Sequence, residues 1–355
     1  MPPNRTYTPL QRRSTPSVLS TQKRPPRPQL ANIIDLTTFA EVHQKANENL
    51  IRYIDYPRAN AHVPSTGVRQ TLDLAEAMEL RANNAPARIR FARVAFQHIA
   101  ADRGIRCGPL HYVTITPAAF AARIGDESGR TPNQRARLRR TGPAACFSIR
   151  RIQALARQVL GTIPFIGMVE AAMYKGWGPQ GPFYGDWISW HCHFITWGAT
   201  HKRLTTVLAS LRIRHSSMLR WNSVAHIVPF IHSQLEQKVA YTMKAPQKST
   251  RVVLYKNSWM NPLTGEIRPA GLKQKKDWLR PGERVRMLDV LADHTLDKLL
   301  FGNGVGSALA NAIRNEALRP LRHQEIMSEL DWQPLAMNGE VHLSPRRLMR
   351  TPRTR

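Results

Sequence analysis

Two neighbouring segments decide the fold of this chain: IPFIGMVEAAMY at residues 163–174 and ISWHCHFITW at residues 188–197. Both are apolar and rich in β-branched and aromatic residues, which favour strands. The residues between them, 176–185, include four glycines and two prolines, a composition typical of a turn. Strands joined by so short a link pair antiparallel. The sequence therefore predicts a β-hairpin at the centre of the molecule.

Further elements are predicted on both sides of this hairpin. Residues 110–116, LHYVTIT, have the composition of a strand, and two more strands are predicted at 224–231 and 251–255. Apolar residues at helical spacing predict three helices, at 146–160, 200–213 and 235–244. The mixed order of helices and strands predicts an α+β fold, an antiparallel sheet with flanking helices.

Composition divides the chain into four predicted regions. They are a disordered basic tail at 1–30, a helical N-terminal region at 31–105, a central α+β domain at 106–260, and a helical C-terminal region with a basic tail at 261–355. The first 30 residues contain seven prolines, six basic residues and no acidic residue, which favours disorder. The last twelve residues contain five arginines and no acidic residue.

The charge of the chain is strongly positive. Lys and Arg total 52 against 24 Asp and Glu, a formal net charge of +28. Each basic side chain near a phosphate displaces condensed counterions, so the excess predicts a nucleic acid as partner. The alternative is a solvated basic surface that binds none.

Cysteine usage and hydropathy exclude several classes of protein. Cys107, Cys146 and Cys192 are few and far apart, and no CxxC pair is present, so neither a disulfide scaffold nor a zinc ribbon is indicated. The N-terminus has no apolar core like that of a secretory signal. No apolar run approaches the ~20 residues that span a bilayer. We therefore expect a soluble, cytoplasmic protein with no membrane partner.

A candidate metal site lies in the hairpin. Side chains alternate along a strand, so His191 and His193 point to the same face and can share one cation. Glu170 is an isolated acid in the preceding apolar strand, where a buried carboxylate is costly unless it is paired or metal-bound. The hairpin would bring it beside both imidazoles. The alternative is that Glu170 lies at a sheet edge and pairs with an arginine.

A candidate nucleophile follows in LEQKVAYTMKAP. Tyr241 lies near the end of an amphipathic helix, and Lys244 is three residues further on, at a spacing that shares a helix face. A phenol is a poor nucleophile unless it is activated. A metal ion and Lys244 would supply positive charge where an oxyanion develops. The alternative is a core tyrosine followed by a surface lysine.

Two further groups of residues are candidates for contact with nucleic acid. Arginines that can grip backbone phosphates are Arg135, Arg137, Arg139 and Arg140. Tryptophans that can stack on unpaired bases are Trp177, Trp187, Trp190 and Trp197. The alternatives are a solvated loop for the arginines and core packing for at least two of the tryptophans.

The order of these features resembles the HUH endonuclease superfamily, particularly the initiators of rolling-circle replication in plasmids and phages. Thr114 and Thr116 match the Thr-x-Thr strand of that family's first motif, the His-x-His pair matches the second, and Tyr241 with Lys244 matches the Tyr-x-x-Lys third. Glu170 stands where many members place an acidic third ligand. The resemblance covers roughly residues 108–256, and it implies an HUH/RRM-like nuclease domain.

The resemblance implies a transesterification that depends on Mg²⁺ or Mn²⁺. A single tyrosine attacks single-stranded origin DNA, forms a 5′-phosphotyrosine link with a free 3′-OH, and later religates the strand. Because no Walker motif is present, a host helicase and polymerase are expected as partners. Cys192 departs from the bulky apolar residue usual between the histidines.

Three other functions stay open at this point. A relaxase or transposase of the same superfamily would use the same chemistry. A metal-dependent nuclease with water as nucleophile would need the histidines and Glu170 but not Tyr241. A non-enzymatic basic protein would bind nucleic acid without forming a covalent adduct.

Overall fold

A computed structural model describes residues 33–56, 64, 69–73, 80–124, 149–179, 181–219, 221–254, 259–260, 267–268, 272–292 and 294–331. The predicted tail at 1–30, the four arginines at 135–140 and the basic C-terminal tail lie outside these residues. The α-helices are α1 Leu36–Asp55, α2 Gln70–Asp73, α3 Ala85–Ala101, α4 Arg103–Cys107, α5 Ile149–Leu160, α6 His201–Arg214, α7 Leu235–Met243, α8 Pro281–Leu291, α9 Leu296–Leu299 and α10 Val305–Asp331. The strands are β1 Leu110–Ile115, β2 Ala121–Arg123, β3 Phe165–Gly178, β4 Gly181–Trp197, β5 Ala225–Phe230, β6 Lys248–Leu254, β7 Trp259–Met260, β8 Ile267–Arg268, β9 Leu272–Trp278 and β10 Leu300–Asn303.

The predicted central hairpin is confirmed. β3 and β4 pair antiparallel over nearly their whole length, from Phe165 opposite Thr196 to Gly178 opposite Gly181. Both strands continue through much of the Gly- and Pro-rich segment that the sequence assigned to the turn, with an irregularity in register at Lys175–Trp177. Alternation places His191 and His193 on one face and Trp190 and Cys192 on the other.

The hairpin lies at the centre of an eight-stranded sheet. Six of the strands follow the order β5-β1-β4-β3-β6-β9, and the other two, β2 and β10, pair with β4 and β3. Each outer edge of the hairpin pairs with two strands. On the β4 edge, β1 pairs with residues 192–197 and β2 with residues 187–189. On the β3 edge, β10 pairs with residues 165–168 and β6 with residues 173–175. Among the strands that the structure describes, none pairs with either outer edge at Glu170 or His191, in the middle of the hairpin.

The α+β class is confirmed, but the sheet is mixed rather than purely antiparallel. β6 runs parallel to β3, while the other strand pairs in this sheet are antiparallel. A parallel pair needs a long crossover connection. Here the chain from β3 to β6 passes through β4, α6, β5 and α7.

The region 261–355, predicted as helical with a basic tail, contains strands as well as helices. β9 pairs antiparallel with β6, and β10 pairs antiparallel with β3. Helices α8, α9 and α10 lie in this region, and the strands β9, before α8, and β10, between α9 and α10, extend the central sheet. Lys-rich β9, LKQKKDW, has no apolar alternation that would have predicted a strand.

The two faces of the hairpin are covered by different elements. The back face is the face that carries Trp190 and Cys192. There Phe194 packs edge-on against Phe165 and Phe301, and Arg157 of α5 lies over the Phe301 ring. Gly161 follows the last residue of α5 with a positive φ of 58°, a conformation that favours glycine. On the other face α7 contacts β3 and β4, and α1 and α3 contact α7 in turn.

Among the residues that the structure describes, none forms a helix with both the length and the apolar character needed to cross a membrane.

Candidate metal centre and tyrosine site

Glu170, His191 and His193 lie together on one face of the hairpin. The register places Glu170 directly opposite His191, with His193 one pleat further along the same strand. All three side chains are buried. Oε2 of Glu170 lies 2.9 Å from Nε2 of His193 and 3.5 Å from Nε2 of His191, and the two Nε2 atoms are 3.0 Å apart. The predicted convergence of these three residues is present in the structure.

The spacing of these atoms suits a shared cation. Ligand atoms bound to one ion at about 2.1 Å, with angles between about 90° and 110°, lie about 3.0–3.4 Å from one another. The three observed separations run from 2.9 to 3.5 Å. A buried cluster with this spacing could therefore hold a metal ion.

Neighbouring groups orient both imidazoles. Nδ1 of His191 lies 3.2 Å from the carbonyl oxygen of Ser189, so Nδ1–H donates there and the lone pair of Nε2 faces the cluster. Nδ1 of His193 lies 2.9 Å from Oγ1 of Thr114 across the β1–β4 pairing. Outer partners of this kind fix ring orientation in metal sites. Thr114 thus has a definite contact in the site.

The electrostatics of the cluster favour an ionised Glu170 carboxylate and a neutral His193 imidazole. Burial opposes ionisation of Glu170, but contact with the Lys244 ammonium and the two histidines holds its pKa well below the usual range. Burial lowers the pKa of His193 to about 3, against the opposing effect of its hydrogen bond to Glu170. Neutral imidazole and ionised carboxylate are the forms that bind metal. The partner of Glu170 is a lysine, not the arginine of the alternative interpretation.

Tyr241 lies over the cluster and is open to solvent. Its ring centroid is 5.8 Å from that of His193 and 6.0 Å from that of Tyr112, and its side chain is 40% exposed. The ammonium of Lys244 lies 4.3 Å from the Tyr241 ring centroid. The Lys244 side chain is 14% exposed, so the lysine is more buried than the tyrosine. The alternative, a core tyrosine followed by a surface lysine, would show the reverse.

The end of α7 brings Lys244 to the cluster. The helix stops at Met243, one residue before the predicted end, and Lys244 has extended backbone angles (φ −62°, ψ 149°). Its side chain therefore leaves the helix and reaches Glu170 rather than continuing along a helical face.

The other predicted contact residues do not lie in the cluster. The hydroxyl of Thr116 donates to the Val224 carbonyl, 3.5 Å away. Trp190, Trp197 and Trp177 are buried, which assigns them to the core. Trp187 is half-buried and is the one of the four predicted tryptophans with a partly open side chain.

Three residues of the site were missed by sequence analysis. The Tyr112 ring stacks on His193 with centroids 5.6 Å apart, and its position two residues before Thr114 on the same strand face could have indicated it. His43 and Arg88 contact the chain on either side of Lys244, across separations of 202 and 155 residues. No sequence motif connects positions so far apart.

Comparison with known proteins identifies no matching protein family, no matching curated protein and no matching solved structure.

Proposed function

We propose that this chain is a metal-dependent endonuclease and strand transferase that nicks single-stranded origin DNA through Tyr241 and so initiates rolling-circle replication. The observation that carries the proposal is the exposed Tyr241 held over a buried cluster of Glu170, His191 and His193. This arrangement, with its order along the chain, supports an HUH/RRM-like nuclease domain.

The cluster would hold Mn²⁺ or Mg²⁺ through the two Nε2 atoms and Oε2. Imidazole suits the later transition metals and carboxylate suits Mg²⁺ and Mn²⁺, so the mixed donor set favours Mn²⁺ of the two. When bound, such an ion polarises a phosphate oxygen of the substrate. Three protein ligands leave coordination positions for that oxygen and for water.

Tyr241 supplies the nucleophile. Its phenolic oxygen forms a bond to phosphorus as the bond between phosphorus and the 3′ oxygen breaks. The phenolic proton passes to solvent, and the departing oxygen takes up a proton to give a free 3′-OH. Attack by a 3′-OH on the phosphotyrosine reverses the step and reseals the strand. The exposure of Tyr241 gives it access to a polymer that cannot enter a closed cavity.

Lys244 would place positive charge beside the reacting groups. Its ammonium contacts Glu170 and lies over the Tyr241 ring. A fixed cation there stabilises both the phenolate that forms during attack and the charge on the phosphate. A net charge of +28 supports DNA as the substrate, and a host helicase and polymerase would act after the nick.

The test is a denaturing gel of labelled single-stranded oligonucleotides that cover the origin of the genetic element, incubated with Mn²⁺. We expect wild type to form a DNA–protein adduct and Tyr241→Phe to form at least about a thousandfold less, because removal of the nucleophile removes the covalent step. Tyr56→Phe is the matched control: it removes the hydroxyl of another exposed tyrosine, at the end of α1, and should keep the adduct.

Other outcomes would identify the alternatives. Cleavage without an adduct, retained in Tyr241→Phe, would indicate a nuclease that uses water. DNA binding with neither cleavage nor adduct would indicate a basic binding protein.

A further inference from the structure

Lys244 lies at the end of α7, and its ammonium contacts Glu170. A lysine side chain is a flexible four-carbon stem with a mobile charge, so its ammonium stays in one place only if its backbone does. Lys244 is the residue at which α7 gives way to extended chain. Such a junction leaves backbone groups without helical partners. The groups on either side of Lys244 are bound by buried side chains from α1 and α3.

Arg88 of α3 binds the chain before Lys244. Nη1 of Arg88 donates to the Met243 carbonyl at 2.7 Å, and Nη2 donates to the Ala82 carbonyl at 2.6 Å. The guanidinium is buried, and burial lowers its pKa to about 10, so it stays charged at neutral pH. A cation at a helix C-terminus also complements the helix dipole. Arg88 thereby ties the end of α7 to the start of α3.

His43 of α1 binds the chain after Lys244. Its Nε2 accepts a hydrogen bond from the Ala245 amide at 2.9 Å, and its Nδ1–H donates to the Phe39 carbonyl at 2.7 Å. Both ring nitrogens are used, and the backbone partners fix one neutral tautomer. The ring is buried and stacks against Phe39 at 4.0 Å. Ala245 is therefore held by a rigid group on a separate helix.

We propose that His43 and Arg88 are positioning residues for the strand-transfer reaction. Arg88 binds the Met243 carbonyl and His43 binds the Ala245 amide, and together they hold Lys244 against Glu170 and beside Tyr241. Helices α1 and α3 then belong to the catalytic unit, although they precede the segment that carries the family resemblance. The inference rests on the proposed nuclease function. It adds two residues outside the metal cluster and outside the three motifs.

Two substitutions at His43 separate positioning from folding. Asn places its amide nitrogen near the position of Nδ1, so His43→Asn keeps a donor for Phe39 but is too short to reach Ala245. Gln places an oxygen near the position of Nε2, so His43→Gln keeps an acceptor for the Ala245 amide. Both variants lose the imidazole and its packing, and they differ in one methylene group and in which contact survives.

The full-length variants are compared by single-turnover adduct formation, oligonucleotide affinity and hydrogen exchange at the Ala245 amide. We expect His43→Asn to lower the single-turnover rate about tenfold to a hundredfold, as small misplacements of catalytic groups do, with unchanged affinity and faster exchange. His43→Gln should recover most of the rate and the protection. Arg88→Lys should behave like His43→Asn, because one ammonium cannot span the two carbonyls in the fork geometry of arginine.

Two results would overturn the inference. One is an equal rate in His43→Asn and His43→Gln, and the other is fast exchange of the Ala245 amide in active wild type. Failure of the proposed function is distinguishable from both, because wild type would then form no adduct while its Ala245 amide stayed protected.

Discussion

The two faces of the β3–β4 hairpin share one backbone but differ in almost every other respect. On the back face Trp190, Cys192 and Phe194 are fully buried in the main apolar core. On the opposite face His191 and His193 alternate with them and are also buried, yet they lie against Glu170. Buried polar and charged groups cost free energy unless they are paired. One face therefore supplies stability, and the other retains costly groups that suit a chemical role.

The largest expected effect is on the back face. Phe194→Ala removes a ring that packs against Phe165 and Phe301, and we expect it to lower the free energy of unfolding by about 3–5 kcal/mol. Affinity for Mn²⁺, measured on the folded protein, should be unchanged because the ring points away from the ligands. Chemical denaturation and titration calorimetry measure the two quantities. A matching loss of Mn²⁺ affinity would show that the faces are not separable.

A substitution at the neighbouring residue, on the opposite face, should affect metal affinity more than stability. His193→Ala removes one of three proposed ligands, and we expect Mn²⁺ affinity to fall more than about a hundredfold, beyond the usual effect of losing an outer partner. The unfolding free energy should fall by less than in Phe194→Ala. Electron paramagnetic resonance of free Mn²⁺ gives the affinity. Unchanged Mn²⁺ binding would remove the metal centre from the proposal.

A smaller effect is expected at the edge of the polar face. Thr114→Val keeps the shape of the side chain but removes the oxygen 2.9 Å from Nδ1 of His193. We expect a loss of about tenfold to a hundredfold in Mn²⁺ affinity, since this partner orients the ring without binding the ion. Thr116→Val, two residues along, is the control and should leave the affinity as it is, because the Thr116 hydroxyl bonds to Val224 instead.

A separate effect, on stability rather than on metal affinity, concerns pH. Burial lowers the pKa of His43 to about 3, so the folded protein binds fewer protons at this residue than the unfolded chain, in which the pKa is about 6.5. The contribution of His43 to stability is therefore complete above about pH 6.5 and is lost as the pH falls towards 3, by about 1.4 kcal/mol per pH unit. Denaturation of His43→Gln between pH 7 and pH 4 should show a shallower loss than wild type. Parallel curves for the two proteins would contradict the assignment.

The hairpin and its ligands were predictable because strand periodicity acts locally. Alternation alone placed His191 and His193 on one face, and the short link placed Glu170 opposite them. The burial of Lys244 was not predictable, since a lysine after an amphipathic helix usually lies in solvent. The strands β9 and β10 were missed because pairing with a distant strand, not local composition, determines them.

The contacts of His43 and Arg88 were beyond sequence reasoning for a different reason. Each is an ordinary residue in an amphipathic helix, and each gains its role only when that helix docks on α7. Their hydrogen bonds cross 202 and 155 residues. A single sequence contains no signal that connects such positions.

The hairpin also sets an order of assembly during folding. Its strands are joined at Gly178 and Gly181, and all three proposed ligands lie on it. Contacts between residues close in sequence lose less chain entropy on closure and form earlier than distant ones. We therefore expect the proposed ligand set to form with the hairpin itself, and Lys244 to reach its place only after α1 and α3 have docked. A nascent chain would then assemble the proposed ligands before the proposed positioning of Lys244.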